Sequence, residues 1–253
     1  MKIILLGHED IASLIALDRL IRRLPEHQFD VFYSGSLAST KGIPDALAEL
    51  VRVDTEFCGA FLTSASPAIL NARLLQRPND AKSLAMVRRL KPDLIVSIRY
   101  RRILKSAVIA IPKYGVINLH SGLLPDYRGV MATFWAMLND EPEIGCTLHR
   151  IVDCGIDTGP VIRVSRMQTA ADKSYLANVL GLYVDGVEML ADAIDAIAAG
   201  NAVPGTRQIE AGGHYYSTPE ADDILRFVEK GLILADASEL KSHIWQKKSV
   251  GNR

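Results

Sequence analysis

The sequence predicts an α/β fold, a doubly wound and mostly parallel sheet with a small C-terminal appendage. Three observations carry this. Short apolar runs alternate with segments whose apolar residues recur at three- and four-residue steps. The alternation holds through the first two-thirds of the chain, and proline or glycine punctuates the joins. The 253 residues, 49% of them hydrophobic, suffice for one large domain or a main domain with an appendage. The expected division is 1–204 for the main domain and 205–253 for a small C-terminal extension.

The elements follow in order. Ile3 to Leu6 is a compact apolar strand closed by Gly7, and Ile11 to Leu24 is a helix stopped by Pro25. Asp30 to Tyr33 is a second strand. Pro44 to Val51 and Pro67 to Leu75 are short helices, each with proline at its start, where the missing N–H costs little. Ala81 to Leu90 is a helix ended by Lys91-Pro92. Leu94 to Ile98 and Gly115 to Leu119 are strands, with a helical turn around Ile103 to Ile109 between them. Met131 to Asn139 is a helix and Cys146 to Val152 a strand. A long helix carries Leu176, Val179, Leu180, Tyr183, Val187, Leu190, Ile194 and Ile197 on its buried face, with Asp172 and Ser174 as start signals and Gly200-Asn201 as the stop. Beyond Pro204-Gly205 the pattern weakens to a Gly-Gly pair at 212–213, Tyr215, Tyr216, a helix at Glu220 to Glu229, and a polar tail from Glu239 with Lys241, Lys247, Lys248 and Arg253.

Composition excludes several classes. Lys+Arg and Asp+Glu number 29 each, which argues against a surface that tracks nucleic acid along its length. Cys58, Cys146 and Cys154 are too few and too unevenly spaced for a disulfide framework or a structural zinc, and no metal is expected. No stretch approaches the ~20 apolar residues of a membrane span. The opening apolar run meets His8-Glu9-Asp10 before reaching the about 7–15 apolar residues of a signal core. A cytoplasmic chain without membrane contact is expected.

The chemistry concentrates in Tyr114 to Ile162. Asn118 and His120 stand two apart in a strand, so both point to one face at its carboxyl end, where open parallel sheets bind ligands. The turn Asp153 to Pro160 can fold an acid back toward His120. Taken alone, these residues leave a structural role open. Their chemistry is coherent all the same. A carboxylate raises a neighbouring histidine's pKa, and an amide N–H₂ stabilises an oxyanion, which together suit attack on a carbonyl-like carbon by an amine or water.

Asn118-Leu119-His120, Leu123-Leu124-Pro125-Asp126-Tyr127-Arg128-Gly129, Gly145-Cys146-Thr147-Leu148-His149 and Asp153-Cys154-Gly155-Ile156-Asp157-Thr158-Gly159-Pro160 resemble the formyltransferase family, which uses 10-formyltetrahydrofolate. The family includes glycinamide ribonucleotide, methionyl-tRNA and sugar-nucleotide formyltransferases and formyltetrahydrofolate hydrolase. The resemblance implies a Rossmann-like fold, 10-formyltetrahydrofolate as co-substrate, and Asn118, His120 and Asp157 as the catalytic set. It implies that Arg102, Ile103 and Leu104 meet the pterin through backbone groups, with Ile109 as an apolar wall and Asp153, Gly155 and Ile156 on the opposite side. Arg99 to Arg102 can also be read as a solvated basic patch. His149 matches a second family position, but its apolar neighbours equally suit a packed core histidine. His8, His27, His214 and His243 are read as structural or surface, and Cys146 and Cys154 as small buried fillers.

Departures from the family pattern narrow the acceptor. Gly122 stands where most relatives have serine. Gly7-His8-Glu9-Asp10 replaces a phosphate-binding loop, and its two acids would repel a phosphate, against the ribonucleotide acceptor. Too little chain is expected after residue 204 for the barrel of methionyl-tRNA enzymes. The segment Gly213 to Glu220 resembles the tail of sugar N-formyltransferases, so the expected acceptor is the primary amine of a nucleotide-linked amino sugar. Hydroxyornithine-type amines, glycinamide ribonucleotide, methionyl-tRNA and water (a hydrolase) remain as alternatives. A hydrolase is expected to need an N-terminal regulatory domain for which there is no room. No Gly-x-Gly-x-x-Gly follows the first strand, which counts against a nucleotide oxidoreductase. Relatives are often homodimers, but no residue here identifies an interface.

Overall fold

The computed structural model describes residues 1–36, 45–209 and 213–240. Pro44, Gly212 and the polar tail from Lys241 to Arg253, with His243, lie outside the described residues. The chain runs β1 (Lys2–Glu9), α1 (Ile11–Arg23), β2 (Gln28–Ser36), α2 (Asp45–Leu62), α3 (Pro67–Leu70), β3 (Arg73–Leu74), α4 (Ala81–Leu90), β4 (Leu94–Ile98), α5 (Ser106–Ile109), β5 (Val116–His120), β6 (Tyr127–Gly129), α6 (Ala132–Leu138), β7 (Glu143–Ile151), β8 (Val161–Gln168), α7 (Tyr175–Ala198), β9 (His214–Tyr216) and α8 (Ala221–Glu229).

Seven strands form one sheet in the order β3-β2-β1-β4-β5-β7-β8. The first five pair in parallel, while β7 runs antiparallel to both β5 and β8. The expected mostly parallel sheet is present. The strand order reverses at β1, so the carboxyl ends of β1 and β4 flank a crevice of the kind where such sheets take ligands. Leu94 to Ile98 is buried along its whole length, as a strand covered by helices on both faces must be. Gly7 is required by close packing, since a Cβ there would lie 2.6 Å from Ser13 Oγ and 2.7 Å from Leu17 Cδ1.

Some elements differ from the sequence expectation. Pro67 opens a helix, but it stops at Leu70. Asn71 Nδ2 donates to the Pro67 carbonyl, and Arg73–Leu74 then pairs with Phe32 and Tyr33 as β3. α2 continues past Val51 to Leu62 because Val53, Phe57 and Cys58 carry its buried face onward. β1 runs on through Gly7 to Glu9, and β8 has no counterpart in the sequence reading because its residues alternate with exposed Arg163 and Arg166 at the sheet edge.

α7 begins at Ser174, whose hydroxyl accepts from Ala177 N–H, and it packs one face on the main core. The same core includes Ile224, Phe227, Leu234 and Leu240, and Phe227 stacks on Phe134 at 4.5 Å. β9 pairs in parallel with β6 as a separate two-stranded ribbon. Among the described residues no helix is long and apolar enough to cross a membrane.

Candidate active site

The strand β5 sets the first two groups. Because successive side chains alternate, Asn118 and His120 emerge on one face at its carboxyl end. The antiparallel register of β7 places His149 directly opposite Asn118, with Asn118 Nδ2 3.0 Å from His149 Nε2. His149 Nδ1 lies 3.0 Å from the Arg150 carbonyl, so this ring nitrogen carries a proton, and its Nε2 faces both the Asn118 amide and the Asp157 carboxylate. His120 is buried and its Nε2–H donates to the Tyr127 carbonyl at 2.7 Å.

The turn between β7 and β8 supplies the acid. Asp153 Oδ1 accepts from Gly155 N–H at 2.7 Å and starts the turn. Asp157 adopts a left-handed φ of 55°, and its Oδ2 accepts from Gly129 N–H at 2.9 Å. Its carboxylate then lies between the two imidazoles, Oδ2 at 3.5 Å from His120 Nδ1 and Oδ1 at 3.4 Å from His149 Nε2. Burial alone would push this carboxyl upward. The His120 charge, the His149 contact and the Gly129 N–H outweigh burial and hold it down to about 2. An ionised acid is thus fixed beside two proton-carrying rings.

These groups line a cleft of about 400 Å³. Arg102, Ile103 and Leu104 line it, as do Asp153, Gly155, Ile156 and Asp157. Ile103 is half-exposed at the mouth, whereas the Leu104 side chain sinks into the second core cluster. Ile109 is absent from the lining. It sits at the end of α5 and packs partly buried on the cluster of Leu104, Val108 and Val116, because the helical turn faces it inward. Val130, Met131, Tyr215 and Thr218 also line it. Next to Tyr215 in the chain, Tyr216 stacks between Tyr127 and Trp135, at 5.2 and 5.1 Å.

Three other sequence expectations change. Arg99 is no solvated patch residue. It is 17% exposed and grips Asp10, with Nε 3.0 Å from both carboxylate oxygens, and Arg101 adds a contact at 3.5 Å. Asp10 in turn caps α1 through Ser13 N–H, so this acid is neutralised inside the protein. Cys154 is exposed on the cleft wall because it lies in the turn, while Cys146 is buried. His8 and His27 have buried side chains and His214 is exposed.

A serine at position 122 does not fit this loop. A Cβ on Gly122 would lie 2.6 Å from His120 Nε2 and 2.7 Å from the Tyr127 carbonyl. The sequence reading missed the Tyr127 carbonyl and Gly129 N–H because backbone groups leave no residue signature. Among the described residues one acid–histidine group, Glu26, His27 and Asp195, brings its ligand atoms within 4.8 Å of one another. Glu26 and His27 precede β2, at the end of the sheet away from the cleft, and Asp195 belongs to α7.

The family described as Formyl transferase matches residues 33–177. A methionyl-tRNA formyltransferase from Citrifermentans bemidjiense is 39% identical over 123 residues, covering 49% of this chain and 38% of that protein. The matched segment spans less than half the length of this and the other curated relatives. Two solved structures share the fold over most of the chain. A sugar N-formyltransferase from Shewanella sp FDAARGOS_354 has a TM-score of 0.59 at 16% identity, covering 89% of this chain and 86% of that one. A formyltransferase from Anoxybacillus kamchatkensis, solved with a UDP-linked formamido sugar and tetrahydrofolate, has a TM-score of 0.56 at 22% identity, covering 95% and 97%.

Proposed function

The chain belongs to the formyl transferase family, and from that premise we propose that it transfers a formyl group from 10-formyltetrahydrofolate to the primary amine of a nucleotide-linked amino sugar. The observation that carries the transfer is the Asp157 carboxylate held between His120 and His149, with the Asn118 amide beside them, on the wall of the cleft. The cleft volume lies within the roughly 300–1,000 Å³ of small-molecule sites. Backbone groups at Arg102 to Leu104 and Asp153 to Ile156 would hold the pterin between them.

In this reading the acceptor nitrogen attacks the formyl carbon. The Asn118 N–H₂ stabilises the oxyanion by a hydrogen bond and the positive charge of a protonated His120 does so through space, both of its N–H groups being held by Tyr127 and Asp157. Asp157 keeps that proton on the imidazole and relays the proton the amine sheds to the folate nitrogen, whose bond to the formyl carbon breaks as it is protonated. The chemistry calls on no metal.

Two observations support the sugar acceptor. Tyr215, 55% exposed on the cleft margin, offers a flat apolar face beside the reacting groups. The sugar-modifying neighbours share the fold over 89% and 95% of this chain. A methionyl-tRNA acceptor is the second reading, favoured by the 39% identity to that enzyme in the shared segment. The deciding experiment is folate release measured with no amine, with UDP- and dTDP-linked amino sugars, with hydroxyornithine, with glycinamide ribonucleotide and with methionyl-tRNA. Release with a nucleotide-linked sugar supports the proposal, and release with methionyl-tRNA alone replaces the acceptor. Release without any amine would make the protein a hydrolase.

A further inference from the structure

Gln208 lies outside the 33–177 segment that matches the family, in the stretch that follows α7. Its Nε2 donates to the Asp157 carbonyl at 2.8 Å and to the Gly159 carbonyl at 2.7 Å. Both partners accept only, so the amide can sit one way round; turned over, its oxygen would face two carbonyl oxygens. The other end, Oε1, is buried without a hydrogen-bond partner. A buried acceptor without a donor is a cost, so the residue is not placed for its own solvation.

The loop it grips needs a grip. Asp157 holds a left-handed φ, which disfavours a residue with a side chain. Gly159 presses against β7 so closely that a Cβ would lie 1.8 Å from the Arg150 carbonyl. The arm carrying Gln208 is itself anchored two residues earlier, where Thr206 and Val161 exchange both backbone hydrogen bonds, at 2.7 and 2.8 Å. A second brace reaches the same aspartate from the other side. Gly129 N–H holds its carboxylate, and β6, which ends in Gly129, is held by β9.

From this geometry we infer that Gln208 is a positioning residue, whose amide fixes the Asp157 loop so that its carboxylate stays between His120 and His149. The inference rests on the formyl-transfer reading for its kinetic consequence only. At 3.4 and 3.5 Å the carboxylate is already at the outer edge of effective contact with both rings. A small outward drift of residues 157–159 therefore uncouples it, while Arg102 to Leu104 and the turn closed by Asp153 Oδ1 and Gly155 N–H, which Gln208 does not touch, stay in place.

The test uses Gln208→Leu, which keeps the bulk and removes the donor, and Gln208→Lys, whose amino group can reach both carbonyls. Turnover is read together with the 13C titration of the Asp157 carboxyl in aspartate-labelled protein. In Gln208→Leu, kcat is expected to fall about 10- to 100-fold with a far smaller change in folate KM. The Asp157 carboxyl is expected to titrate at a higher pH than in the wild type. Gln208→Lys is expected to recover most of the lost kcat. Should the leucine variant fail to fold, Gln208→Glu keeps the shape and turns an acceptor toward both carbonyls at neutral pH, with the same losses expected. An unmoved Asp157 titration in a folded donor-less variant overturns the inference, as does a leucine variant with wild-type kcat. If wild-type protein releases folate with no amine in the panel, the formyl-transfer reading fails, and the titration alone still decides Gln208.

Discussion

Two buried carboxylates at the same end of the sheet serve different ends. Asp10, after β1, is enclosed by its helix cap and two guanidinium groups at 2.9–3.5 Å. Asp157, after β7, accepts one backbone N–H and otherwise faces two histidines across 3.4–3.5 Å at the wall of a cleft. Arginine never gives up its proton in a protein, so the first arrangement is a fixed lock. Histidine can give up or take a proton near neutral pH, so the second can do chemistry. Burial of an acid says little by itself; the titratability of its partners and the presence of open volume beside it separate structure from function.

Exchanging each acid for its amide or alanine should break the comparison most sharply. Asp157→Asn is expected to lower transfer by about 10³-fold or more with little change in melting temperature, since loss of the acid that orients a catalytic histidine has cost ~10⁴ elsewhere. Asp10→Ala should do the reverse. It strands the buried Arg99 charge and removes the α1 cap, so urea unfolding should report a loss of about 3–5 kcal/mol. Turnover per folded molecule should persist. If both variants lose activity equally at equal stability, the division between lock and site is wrong. A smaller effect is expected from Gly122→Ala, which crowds His120 Nε2 and the Tyr127 carbonyl. Overpacking of that kind costs about 1–3 kcal/mol, and here it should also slow transfer, measured on the folded fraction.

The two regions were unequally legible in the sequence. Asn118 and His120 follow from strand alternation, and β4 and α4 fall where their apolar patterns and Lys91-Pro92 place them. The motif resemblance pointed to Asp157, which the turn does bring back to His120. His149 stayed ambiguous because its role depends on β7 running antiparallel to β5, and a side chain's cross-strand partner is not written in its own neighbours. Asp10 was read as a repelling charge because its partner Arg99 is 89 positions away. Gln208 gave no signal for the same reason, since its partners are backbone carbonyls some fifty residues earlier. Local periodicity carries the scaffold, and long-range pairing decides what each polar residue does.

The smallest predicted effect concerns pH, and it separates the regions once more. Asp157 is held down to about 2, so its contribution to stability is present above pH 4 and lost only as pH falls toward 2. Around Asp10 the sensitive window is higher and contains two opposing groups. His8 is lowered to about 4, by burial first and then by the Arg101 charge. Between about pH 4 and 6.5 the unfolded chain binds a proton there that the folded chain does not, so stability falls as pH falls. Asp54 is raised to about 7, by burial first and then by Asp10. Over much of the same window the folded chain keeps a proton that the unfolded chain has released, so stability falls as pH rises. The two slopes offset one another in the wild type, and each variant should expose the other. His8→Gln should lose stability from pH 4 to 7, and Asp54→Asn, which keeps an acceptor for the Ile11 N–H, should gain it from pH 4 to 6.5. Each change amounts to about 2 kcal/mol after solvent screening is allowed for, read as the shift in urea midpoint. Parallel curves for all three proteins would mean that neither group titrates with folding, and that the region around Asp10 is insensitive to pH.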